Sequence, residues 1–135
     1  MASDFLNQYK ILYSKGNSDL KIVDIVLKSK EENVDIGIIL FHLQQAAEKY
    51  LKAILSYSGT HFEKVHDISF LIEICVKNDI KLPEYTEELI ELNPYAIVGR
   101  YDFFYNETDK KLVFKYYNLL KDFKIYTGKF ISEIS

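Results

Sequence analysis

The sequence predicts an all-α fold, an up-and-down bundle of four or five helices, and three observations carry that prediction. Apolar residues recur at three- and four-residue steps along most of the chain, the spacing that lines up side chains on one face of a helix. No segment shows sustained alternation of strand type. Glycine and proline are scarce, at 5 and 2 of 135 residues, which argues against a collagen-like, low-complexity or turn-dense all-β chain. The length, with 48% hydrophobic and 27% charged residues, fits one globular domain over 1–135, and no repeat or linker divides it.

Phe5, Tyr9, Leu12 and Tyr13 fall on one face of a first helix, which the Lys15-Gly16-Asn17 breaker ends. Ser18 or Asn17 caps a second helix, where Leu20, Val23 and Leu27 keep helical spacing before Glu31-Glu32-Asn33. The strongest segment is 35–57. Asp35 stands as N-cap, and Ile36, Ile39, Leu40, Leu43, Ala46, Ala47, Tyr50, Leu51, Ile54 and Leu55 form one wide apolar stripe. Gly59 is placed to end this helix.

Asp67 caps the next helix, with Ile68, Leu71, Ile72, Cys75 and Val76 in helical period as far as Asn78-Asp79. Pro83 opens another, with Glu84, Glu87 and Glu88 suited to its positive N-terminal end. Pro94 interrupts it, so 94–100 reads as a kinked continuation or a new short helix. After a 101–107 connection, Leu112, Tyr116, Leu119, Phe123, Tyr126 and Phe130 repeat at four-three spacing, a seam for a long helix packed on the bundle.

The net charge is −3, from 17 basic and 20 acidic residues. Proteins that coat nucleic acid non-specifically usually carry a basic excess, so only a local basic site is compatible with such a ligand. A single cysteine makes neither an internal disulfide nor a cysteine zinc site. The start, Met1 to Phe5, lacks the features of a signal peptide. The longest apolar runs, four or five residues, fall far short of the ~20 needed to span a membrane. A reducing, cytoplasmic location without membrane contact is the expectation.

Residues 44–53 read Gln-Gln-Ala-Ala-Glu-Lys-Tyr-Leu-Lys-Ala, followed by His66-Asp67-Ile68 and, after a further helix, by Gly99-Arg100-Tyr101-Asp102. In this order and spacing the three elements resemble the HEPN family of small helical domains. The resemblance covers roughly 18–132, with 5–14 as an N-terminal helical extension. It implies a bundle that forms a homodimer, with the arginine of the fourth helix lining a cleft between subunits. It also implies a partner of nucleotidyltransferase type, nucleotide or RNA as ligand, and a place in toxin–antitoxin pairs, whose toxins are metal-independent RNases.

Similar RNases carry a histidine separated from that arginine by four to six residues. Here those histidine positions hold Tyr105, Asn106 and Glu107. Metal-free RNA cleavage needs a group near neutral pKa to move the 2′-hydroxyl proton and a cation to steady the phosphate. Arg100 supplies the second alone. A tyrosine, with an ordinary pKa of ~10, is a poor base at neutral pH, and an asparagine does not titrate. Arg100, Tyr101, Tyr105 and Asn106 instead suit binding: guanidinium to phosphate, ring to base, amide to base edge. The competing structural reading pairs Arg100 with Asp102 or a carbonyl and packs the aromatic run at a dimer seam.

Gln44, Gln45, Glu48, Lys49 and Lys52 read as a solvated face, with Lys49 or Lys52 adding charge to the cleft as the alternative. On the first reading Lys52→Ala is nearly silent, whereas Leu51→Asp is severe. His42, His61 and His66 lack metal-ligand spacing, and His66 reads as fixing the start of the helix beside the Asp67 cap. Cys75 reads as a buried, inert thiol. No Gly-rich phosphate loop or nucleophile elbow is present, and no cofactor is expected.

The leading expectation is therefore a non-enzymatic, dimeric nucleotide- or RNA-binding module that works with a nucleotidyltransferase-type partner, its ligand held by Arg100, Tyr101, Tyr105, Asn106 and Lys49. The alternatives are a metal-independent RNase toxin using Arg100 and a helical interaction domain without a nucleic-acid role.

Overall fold

A computed structural model describes residues 2–29, 34–62, 64–96 and 107–132, with side chains from residue 8 in the first helix and from residue 110 in the last. The described chain is all helical: α1 (Ala2–Ser29), α2 (Ile36–Tyr57), α3 (Ile68–Lys77), a 3₁₀ segment (Glu84–Tyr95) and α4 (Glu107–Ser132). No helix among the described residues is long and apolar enough to cross a membrane.

Helix α2 is the axis of the molecule and packs against all four other elements. Its expected stripe, from Ile36 to Leu55, is buried. Asp35 caps it by accepting from the Gly37 N–H at 2.8 Å. The far end closes through Gly59, at φ +72°, a left-handed value that glycine adopts without a Cβ clash. The Thr60 N–H reaches back to Leu55 O and the Gly59 N–H to Ser56 O, which satisfies two carbonyls that the helix end would otherwise orphan.

The expected break at Lys15-Gly16-Asn17 does not occur; α1 is continuous through it. The reason is tertiary. Tyr50 lies against Gly16 and donates its hydroxyl to Asn17 Oδ1 at 2.6 Å, so both residues serve the α1–α2 contact from within a helix. Residues 5–14 are accordingly part of α1. Contacts of Tyr9 with Tyr57 and Tyr13 with Tyr50 show α1 and α2 running antiparallel. Tyr50 with Phe123 and Tyr57 with Phe130 advance in step, so α4 runs parallel to α2.

On α4 the buried line is Val113, Tyr116, Leu120, Phe123 and Thr127. The expected seam shares Tyr116 and Phe123 with it; Leu112, Leu119, Tyr126 and Phe130 are only partly buried along one edge. Asp67 caps α3 as expected, accepting from the Ser69 and Phe70 N–H groups at 2.9 and 3.4 Å.

The helix expected after Pro83 is 3₁₀ rather than α, and Pro94 stays inside it. Thr86, Leu89 and Leu92 are buried at steps of three, matching the three residues per turn of a 3₁₀ helix. Asn93 ties this segment to the start of α3: its amide donates to Asp67 Oδ1 at 2.9 Å, and its carbonyl oxygen accepts the Ile68 N–H at 2.8 Å.

Candidate functional site

The polar side of α2 is a pair of buried ionic networks, which corrects its reading as a solvated face. Apolar residues occupy so much of this helix that its few polar positions have little surface left to share. Glu48 is 3% exposed and Gln44 fully buried. Burial of a carboxylate demands compensation, and three side chains provide it. Lys52 Nζ stands 2.6 Å and His66 Nδ1 2.8 Å from Glu48 Oε1, and Gln44 Nε2 donates to Oε2 at 3.0 Å. Gln45 in turn donates to Gln44 Oε1 at 2.7 Å.

Two of these partners sit one helical turn either side of Glu48, while His66 arrives from the segment before α3. His66 thus fixes that segment, as expected, but through the Glu48 carboxylate on another helix. The side chain of Lys52 is only 12% exposed, its charge turned inward.

The second network lies at the α1–α2 interface. Asp19 is buried; its Oδ2 accepts from Lys49 Nζ at 2.5 Å, and its Oδ1 faces His42 Nδ1 at 2.9 Å. Lys49 is therefore already paired. Of the five expected binding residues it is the one whose surroundings are described. Arg100, Tyr101, Tyr105 and Asn106 lie outside the described residues, as does Asp102.

Sequence reasoning missed Asp19 and Glu48 as organising groups. The available signal was the width of the α2 stripe: a glutamate between Ala47 and two lysines, on a helix apolar over most of its circumference, must be partly enclosed. Nothing local to Asp19 marked it, because its partners stand 23 and 30 residues away.

Other groups are structural. Burial pushes the Cys75 thiol up to about 12, so it is an inert core group at neutral pH. Tyr117 donates to Asp24; burial, followed by this bond, pushes its phenol to about 12. Among the described residues no three His, Cys, Asp or Glu side chains are grouped to hold a metal ion. The arrangement offers paired cations and imidazole donors fixed by buried carboxylates, which suits holding an anion better than moving a proton.

No curated protein and no solved structure matches the chain. The family model of the HEPN domain matches residues 2–123, taking in α1, the Gln44–Lys52 helix and the His66-Asp67 start of α3. On that match, and on the all-α bundle that bears it out, the chain belongs to the HEPN domain family.

Proposed function

We propose that this chain is a non-enzymatic, homodimeric HEPN module that binds nucleotide or RNA and works in the cytoplasm with a nucleotidyltransferase-type partner, in the manner of a toxin–antitoxin component. Family membership supports a nucleotide- or RNA-related role. The observation that carries the reading further is the composition of 100–107. Arg100 is the sole arginine of the chain, it stands in an aromatic run, and no histidine follows it as far as residue 107. Arginine holds phosphate with a planar fork that lysine lacks. The missing histidine removes the group that would move the 2′-hydroxyl proton. In this reading Tyr101 and Tyr105 stack on bases, Asn106 meets a base edge, and Lys49 exchanges Asp19 for a phosphate as second cation.

A contact surface for another protein has separate support. Ile22 and Ile25, one turn apart on α1, are both exposed, an apolar pair open to association. Light scattering at tens of micromolar (an order-of-magnitude concentration for weak association) tests the dimer, and a monomer there refutes it. Titration with a short RNA tests the ligand: Arg100→Lys should weaken binding, and an unchanged affinity contradicts the role given to the guanidinium.

A further inference from the structure

Beside the Glu48 network, α1, the C-terminal end of α2 and the segment leading to α3 enclose a cleft of about 630 Å³, within the ~300–1,000 Å³ range of small-ligand sites. Its lining is one-sided in charge. Lys52, Lys64, His61 and His66 contribute nitrogen donors, and no described aspartate or glutamate lines it. Glu48 stands behind this wall, holding Lys52 and His66 through a single oxygen. Both side chains are therefore fixed before any ligand arrives, which lowers the entropy lost on binding. Glu48 offsets one of the two lysine charges and leaves the other in excess.

Thr60 brings a hydroxyl to this wall, while Leu12 and Phe62 give the cleft an apolar side.

We infer that this cleft binds a phosphate monoester: its oxygens accept from Lys52, Lys64 and His61 beside the anchored His66 ring, and the substituent lies along Leu12 and Phe62. The site is built from residues other than the Arg100 segment and does not depend on the role proposed for it. The ligand chemistry admits two sources, free phosphate and a mononucleotide.

Calorimetric titration with inorganic phosphate, AMP and adenosine separates these sources. It is run on the Arg100→Ala full-length chain, so that the proposed Arg100 site contributes nothing and a failure here leaves that proposal intact. Phosphate and AMP should bind and adenosine should not. AMP binding more tightly than phosphate assigns the apolar side to the nucleoside; equal affinities assign free phosphate, and both support the site. His61→Ala with Lys64→Ala changes two exposed residues and should weaken binding at least about tenfold, as expected for losing charge-assisted bonds. Lys28→Ala should leave it unchanged. The inference is overturned if neither anion binds, if adenosine binds as well as AMP, or if the folded double variant retains full affinity.

Discussion

Tyr50 and Gly16 meet so closely across the α1–α2 interface that a Cβ added to Gly16 would stand 2.8 Å from Cε1 of the ring. The ring is fully buried and tethered through its hydroxyl to Asn17, so it cannot swing away. Gly16→Ala therefore sets a gain in helix propensity of ~1 kcal/mol against overpacking of roughly 1–3 kcal/mol. We expect net destabilisation, read as a lower urea midpoint. A stabilised variant would show that the ring yields.

Lys52→Ala distinguishes a buried ionic network from a solvated face. Breaking a buried pair costs about 3–5 kcal/mol; with His66 and Gln44 still on Glu48, we expect a loss near ~2–4 kcal/mol. Glu48→Gln combined with Lys52→Met should recover most of it. Lys52→Ala melting within a degree or two of wild type would put the lysine back among the solvent-screened surface charges.

Thr127 is fully buried in the α4 seam, and its hydroxyl has no hydrogen-bond partner among the described residues. Thr127→Val keeps the shape and removes the unsatisfied group, so a gain of about 1 kcal/mol is expected. Thermal melts read it directly, and a loss of stability would reveal a partner for the hydroxyl.

Asp67 gives the fold an acid-sensitive joint. Bonds from the Ser69 hydroxyl, the Asn93 amide and the Phe70 and Ser69 N–H groups hold its carboxyl below the ordinary 3.8. A depressed folded pKa contributes stability that is full above the unfolded value and is lost as pH falls through the folded one. Asp67→Asn keeps a capping oxygen and removes the charge. The lead of wild type over this variant should be largest at neutral pH and should shrink below about pH 4. A lead independent of pH would assign the effect to geometry alone.

The high-pH side follows from the phenols. Burial, followed by the nearby Asp122 charge, pushes Tyr85 up to about 12, and Tyr117 is raised as well. A raised folded pKa gives stability that is full below the unfolded value of ~10 and is lost as pH rises toward the folded one. Unfolding midpoints should therefore fall between about pH 10 and 12, and less steeply in Tyr117→Phe. Equal slopes for the two chains would deny that Tyr117 takes part.

Features written in local sequence were legible: the α2 stripe with its Asp35 cap and Gly59 end, the Asp67 cap, and the inert Cys75. Features that depend on a distant neighbour were not. Gly16-Asn17 reads as a breaker until Tyr50 is known to lie against it. The α4 seam reads one position off on alternate turns because Leu112, Leu119 and Tyr126 are as apolar as Val113 and Leu120. Only the third dimension decides which of the two lines faces α2. The 3₁₀ segment had a readable mark in the three-residue spacing of Thr86, Leu89 and Leu92, masked by Pro83 and its following glutamates, which announce an α-helix. At the candidate site, Lys49 looks like a surface lysine because its partner Asp19 comes from α1, and Lys52 looks like one because its neighbour Glu48 is enclosed only once the other elements pack on α2.

Binding without cleavage is tested by a labelled short RNA incubated with purified protein in the absence of metal. A net-acidic protein should bind such a ligand with a salt-sensitive affinity. Wild type should give a retarded complex from which the RNA is recovered at full length, with retardation lost in Arg100→Ala. Metal-free shortening of the RNA by wild type, absent in Arg100→Ala, would contradict it and make the chain an RNase that works without the histidine. Retardation unchanged by Arg100→Ala would move Arg100 to a structural role.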